Sequence, residues 1–157
     1  MKITAQEEYG LRLLLRIARC EDDKGMSIPD LSKAEGLSAA YVAKLTRILR
    51  IAGYVSSTPG YKGGYILTQP AAQVNINQVL KVLGGALFNK NFCGDYPGMH
   101  ALCTNSVDCS IRSLWQMIQL SVDQLLDRMT LADLIGSEQS STLVLNTLIA
   151  QHTKILS

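Results

Sequence analysis

Three cysteines fall in one short segment at the spacing Cys93-x9-Cys103-x5-Cys109. Thiolates are soft ligands that suit iron–sulfur clusters, zinc or copper(I). A zinc ribbon or finger brings CxxC pairs or a Cys/His quartet, and the chain contains no CxxC. An even cysteine count is a weak argument for disulfides in a cytosolic protein. Three cysteines so close together point instead to metal or redox chemistry. Three thiolates leave one coordination position for another group, and His100, inside the same segment, is the local candidate. The fourth cysteine, Cys20, stands apart at the end of a helical pattern and reads as a small core residue.

A second constellation is basic. Net charge is only +2, so the global balance does not announce a polyanion partner. The distribution says more. No Asp or Glu occurs between Glu35 and Asp95, while Lys44, Arg47, Arg50, Lys62, Lys81 and Lys90 lie inside that stretch. Such a local positive field suits a site-specific phosphate contact. Lys44, Arg47 and Arg50 are spaced three apart and drift slowly around one helix face, within reach of phosphates or base edges. Ser38 places a helix N-terminus, with free backbone N–H groups, near a phosphate. Tyr41 is placed to stack on a sugar or donate its hydroxyl. Tyr61 and Lys62 stand between glycines, which allow close approach to a backbone or minor groove.

These residues need elements to hold them. Residues 4–19 read as a helix with a broad apolar surface and Arg12, Arg16 and Arg19 on the other side. Ser27 caps a helix over 28–35 that Gly36 stops, and Ser38 caps a third over 39–52 that Gly53 ends. Val42, Leu45, Ile48 and Leu49 form its core-facing side. Then 54–58 and 65–68 are β-prone around a Pro-Gly-rich turn at 59–64. Helix, short turn, helix and Gly-rich hairpin make a winged helix-turn-helix. A further helix spans 75–83, and 91–109 is a loop.

A long helix follows over 110–129. Ile111, Ile118 and Leu125 recur every seven residues, and Leu114, Trp115, Val122 and Met129 widen the stripe. Such a seam often packs against its own copy; the alternative is a helix packed on its own core. Residues 138–157 read as a detached tail helix with Leu143, Leu145, Leu148 and Ile149 as its apolar members. The expected architecture is mainly α with a small β-hairpin. It divides into a winged helix-turn-helix at 1–84, a cysteine loop at 85–109, a dimerisation helix at 110–135 and a tail helix at 136–157.

The hydrophobic fraction of 47% is ordinary for a soluble globular protein. No apolar run reaches the roughly 20 residues a bilayer span needs. The start, Met1-Lys2-Ile3-Thr4, lacks the pattern of a signal peptide, so a cytoplasmic location without membrane contact is expected. An enzyme is disfavoured. A phosphate loop after a parallel strand is missing, and only His100 and His152 stand ready to partner a nucleophilic cysteine, neither in a triad context.

Motifs in chain order then resemble one family. They are Glu8-Tyr9-Gly10-Leu11-Arg12, Ser38-Ala39-Ala40-Tyr41-Val42-Ala43-Lys44-Leu45, Ala52-Gly53-Tyr54-Val55 and Gly60-Tyr61-Lys62-Gly63-Gly64-Tyr65. Cys109-Ser110-Ile111-Arg112-Ser113-Leu114-Trp115 and Thr130-Leu131-Ala132-Asp133-Leu134 complete the set. From Met1 to about Leu134 the chain resembles the IscR/NsrR-type family of bacterial winged helix-turn-helix regulators. The resemblance implies a homodimer, binding of double-stranded operator DNA through the third helix and wing, and an iron–sulfur cluster held by Cys93, Cys103 and Cys109. The cluster is read as 2Fe–2S in preference to 4Fe–4S. By resemblance to the NsrR-like members, Glu8 of the partner subunit is preferred as the fourth ligand over His100. Two departures stand out: Pro59 replaces the arginine usual before the wing's first glycine, and Arg112 replaces the histidine that IscR-like members use as a ligand. The expected function is a dimeric regulator whose operator affinity follows cluster status, redox state or nitric oxide. The alternative is a cluster-free regulator or adaptor with the loop cysteines as a thiol redox switch.

Overall fold

Thr4 starts the first helix with a reciprocal cap. Its hydroxyl accepts from the Glu7 amide, and its own amide donates to the Glu7 carboxylate at 2.8 Å. The computed structural model describes residues 3–60, 63–89 and 91–155, with 152–155 described by their backbone. Helix α1 spans Ala5–Ala18, α2 Ile28–Glu35 and α3 Ala39–Ile51. Ser27 and Ser38 cap the second and third, their hydroxyls accepting from Asp30 N and Tyr41 N at 3.3 Å. Gly36, at φ 67°, takes the left-handed conformation that ends α2 and turns the chain into α3.

The hairpin pairs β1, Val55–Ser57, with β2, Tyr65–Leu67, antiparallel in the register Val55 to Leu67. Met26, in the α1–α2 connection, adds a bridge to the outer edge. It exchanges both backbone hydrogen bonds with Tyr65, at 3.1 and 2.8 Å. Gly64 permits this approach, since a Cβ there would lie 2.6 Å from the Met26 carbonyl carbon. A 3-10 turn at Ala71–Gln73, absent from the sequence reading, leads to α4, Ile76–Gly84, capped by Asn75.

The core gathers Leu13, Leu14 and Ile17 of α1, Leu31 of α2, Val42, Leu45 and Leu49 of α3, and Val79 and Leu83 of α4. Each such side chain contributes roughly 1.5–3 kcal/mol by leaving water. Val42, Leu45 and Leu49 point inward as their periodicity requires, and Ile48 sits half-buried beside them. Thr46 is the one buried polar residue of α3, and its hydroxyl donates to Val42 O at 2.9 Å.

The chain differs from the sequence reading in five places. The segment 91–109 contains one helical turn, α5, Phe92–Asp95. The long helix α6 spans Ser110–Leu126 and stops before Met129. Met129 is 3% exposed and belongs to the core rather than to the α6 stripe. The cause is backbone pairing: Ile76 N donates to Met129 O and Leu131 N to Val74 O, which pulls the chain out of the helix and back onto α4. The segment 110–135 is therefore an arm, a return and a separate turn, α7, Ala132–Ile135. Cys20 is half-buried, like the other three cysteines, and lies outside the core. The tail helix α8, Glu138–Ile155, is docked rather than detached, with Leu145 and Leu148 against the core and contacts to α7 and α6. Among the described residues no helix is long and apolar enough to cross a membrane.

Candidate nucleic-acid interface and cysteine segment

Helix α3 presents Ser38, Lys44, Arg47 and Arg50 to solvent. Among the described residues none of these three cations is paired with a carboxylate. Lys44 Nζ lies 5.9 Å from the centre of the Tyr41 ring, a cation–π contact. Tyr41 is half-buried and meets Tyr9 of α1 edge to face at 6.2 Å. The ring therefore fixes the first turn of α3 against α1 while its neighbours face outward. The slender N-terminal half of α3, with small Ala39 and Ala40 exposed beside Ser38, has the shape a major groove admits.

The wing is anchored at its base. Thr58 Oγ1 donates to Lys24 O at 2.7 Å, and Gly64 N donates back to the same hydroxyl at 2.8 Å. Tyr61 and Lys62, expected at the wing tip, lie outside the described residues, as does Lys90 of the basic stretch. Lys81, another member of that stretch, is turned away from α3 and pairs with Asp123 of α6 at 2.9 Å. The basic face is thus carried by α3, and the sequence run overstates it.

Cys93 lies in α5, Cys103 in the following loop, and Cys109 caps α6; all three are half-buried free thiols. Cys109 Sγ accepts from Arg112 N at 3.4 Å, taking the place an oxygen cap usually holds. Arg112 also donates to Asn105 O and Ser106 O, both at 3.0 Å. The residue that departs from the IscR-like pattern therefore ties the loop to the start of α6. His100 is exposed. In kind, the donor set fits a thiolate-held cluster: three soft, half-buried sulfurs on one segment. In place, no three His, Cys, Asp or Glu side chains form a metal-ready group among the described residues of the single chain.

Glu8 sits elsewhere, on α1. Its side chain is 58% exposed and reaches Arg12 at 4.0 Å. It stands at the rim of an apolar groove of about 520 Å³ between α1, α4 and α6, with Leu11, Leu80, Val122 and Leu126 among its walls.

Beneath that groove lies a polar group the sequence reading missed. Asn77 of α4 is 2% exposed. Its Nδ2 donates to Asp123 at 3.1 Å and to Asp127 at 2.7 Å. Asp123 also accepts from Lys81 and, at 2.7 Å, from Gln119 Nε2. Burial alone would raise the Asp123 carboxyl. Hydrogen bonds from Lys81, Asn77 and Gln119, with the Lys81 charge, outweigh it and hold the group below the usual aspartate range. Two signals were available: an Asn inside the apolar period of α4, and two Asp residues four apart on a helix otherwise read as a seam.

With this geometry in hand, comparison with known proteins is specific. The profile of the Rrf2 family, described as an iron-dependent transcriptional regulator, matches residues 3–137. The chain is 33% identical over 135 residues to protein rrf2 of Nitratidesulfovibrio vulgaris, covering 86% of this chain and 87% of that one. Among solved structures it is similar to T. potens IscR, with a TM-score of 0.66 and 27% identity over 86% of each chain. It is also similar to the oxidised form of Staphylococcus aureus CymR, with a TM-score of 0.66 and 28% identity, covering 87% of this chain and 98% of that one. The family is one of DNA-binding transcriptional regulators rather than enzymes. The winged helix, the α6 arm and the match from residue 3 to 137 agree, and the chain belongs to the Rrf2 family of transcriptional regulators.

Proposed function

We propose that the chain is a homodimeric operator-binding regulator whose affinity is set at the cysteine segment, where Cys93, Cys103 and Cys109 hold an iron–sulfur cluster of the 2Fe–2S type. The observation that carries this reading is Cys109. Its sulfur caps the very helix whose apolar side chains lie uncovered, so a change at the cysteines acts at the root of the arm. Ser38 offers the α3 N-terminus to a phosphate, and Lys44, Arg47 and Arg50 supply counter-charge and base-edge donors. Tyr61 and Lys62 extend the contact to the wing. The arm joins two copies, so that two α3 helices meet successive half-sites of double-stranded DNA. A cluster supplies a centre that oxidants and nitric oxide attack. Glu8 of the partner subunit would complete its ligands, and an oxygen ligand exchanges readily. A few kcal/mol of coupling between the two states suffices for control.

The test is an anaerobic absorption spectrum with iron and sulfide counts, paired with operator binding before and after chelation. Colour, counts that match 2Fe–2S and a change in affinity support the reading; colourless protein with unchanged affinity refutes it. A second reading has its own observation: the three thiols are free and not gathered within one chain. In that reading the loop cysteines act as a thiol redox switch. Operator affinity then follows thiol oxidation in protein without iron.

A further inference from the structure

We propose that Gln119 is a positioning residue that couples the cysteine segment to the DNA-binding unit. The inference rests on the reading of that segment as the sensor, and it names the route by which the state of the loop reaches α3. None of the described residues of α6 is fully buried; Leu126 packs against the core, and a polar contact runs beside it. The contact runs through Asp123 and Asp127, which receive Asn77 and Lys81. Gln119, one turn before Asp123, extends it in the other direction. Its Oε1 accepts from Phe88 N at 2.9 Å, and its Nε2 donates to Asp123 Oδ1 at 2.7 Å.

Both ends of one amide are thereby used, and their order is forced: reversed, an oxygen would face the carboxylate. Phe88 is where the chain leaves α4 toward the cysteines. Its ring lies 5.7 Å from Phe92, beside Cys93 in sequence, and Phe92 lies 4.8 Å from Tyr96. On the other side, α4 packs against both α1 and α3. A rearrangement around Cys93 therefore pulls on Phe88, turns the Gln119 amide and alters the seat of α4 beneath the recognition helix.

Two variants separate a relay from mere packing. Gln119→Glu keeps the acceptor for Phe88 N but sets a second carboxylate against Asp123. Gln119→Met keeps the volume and removes both bonds. Operator affinity is measured under anaerobic conditions for iron-loaded and chelator-stripped protein, with hydrogen exchange followed at Phe88 and along α4. In the wild type the two states differ by a factor on the order of 5–150. In both variants that ratio falls to about one, whereas a purely structural residue would weaken both states together and leave the ratio intact. A variant that retains the wild-type ratio overturns the proposal. Should the wild type itself show no difference between states, the cluster reading fails, and exchange alone decides the relay. Faster exchange at both Phe88 and α4 in the variants supports it; unchanged exchange overturns it.

Discussion

Arg12 donates from Nε and Nη2 to one oxygen of Glu35, both at 2.6 Å, joining the exposed side of α1 to the end of α2. Arg16, one turn further on, takes the other oxygen. The Glu35 side chain is only 3% exposed, while both arginine side chains remain nearly half exposed. The charge of the last acid before the acid-free stretch is thus compensated within the fold by two arginines.

Replacing Glu35 by Gln should destabilise the protein by about 1.5–3 kcal/mol at neutral pH, the range for hydrogen bonds to charged groups. The exposure of the two arginines argues for the lower part of that range. Burial raises the Glu35 carboxyl, but hydrogen bonds and charge from Arg16 and Arg12 outweigh it, and the group lies below its ordinary 4.5. A depressed carboxyl contributes stability above its unfolded pKa and loses it as pH falls through the folded value. Urea denaturation of wild type and Glu35→Gln should therefore show a gap that is full above pH 4.5 and closes on further acidification. A gap independent of pH would assign the effect to packing.

Lys44, Arg47 and Arg50 should separate into two kinds of contact when each is replaced by Ala. A phosphate contact weakens all sequences alike and flattens the salt dependence by about one unit. A base contact costs about 1–3 kcal/mol at one operator position. Lys44, already held near the Tyr41 ring, should also respond to Tyr41→Leu, which frees it. Binding titrations across a salt series decide between the classes, and a triple variant with undiminished binding would remove α3 from the interface.

Much of the first half of the fold is legible because it is local. Ser27, Ser38 and Asn75 cap where their side chains reach the first turn, and Gly36 ends α2 because it adopts a positive φ. The second half depends on partners remote in sequence. Met129 reads as the last member of a helical stripe until Ile76 and Val74 claim the neighbouring backbone. Lys81 counts as one more basic residue until Asp123 claims it. Arg19 reads as a solvated helix residue, yet it donates to the carbonyls of Leu134, Ile135 and Gly136 and fastens the return of the chain. The cysteines are legible in kind through their spacing; their arrangement depends on loop geometry that spacing does not encode.

The arm should carry dimerisation. Ile111 is 60% exposed, Leu114 51% and Trp115 42%, neighbours on one side of α6, and Met117 and Leu120 are also uncovered, apolar surface left open among the described residues. Asp at Leu114, Ile118 and Leu125 together should yield a monomer by light scattering. Operator affinity should fall on the order of 100-fold or more, since the second half-site no longer binds intramolecularly. The core lies mostly outside α6, so thermal unfolding should remain cooperative. A monomer that binds the full operator like wild type would sink the idea.

The ligand set makes the last prediction. Cys93, Cys103 and Cys109 should each be required for coloured protein, and Cys20, half-buried beside Asp22 at the far end of α1, should be dispensable. Cys109→Ser is the most informative single change. A serine hydroxyl can still cap α6, so the helix survives while a soft ligand is lost; cluster content should fall without loss of the dimer. Glu8→Ala should leave a protein that takes up iron poorly or loses it faster in air or nitric oxide. Among the described residues the Glu8 carboxylate is held by a 4.0 Å contact with Arg12, so its removal should change stability little and leave ligation as the main effect. Absorbance decay under controlled exposure, with iron counts for each variant, is the measurement. If Glu8→Ala matches wild type while His100→Ala loses the cluster, the fourth ligand lies in the loop and the second copy contributes none. If all three cysteine variants keep wild-type metal content, the cluster is excluded and the loop acts through its thiols alone.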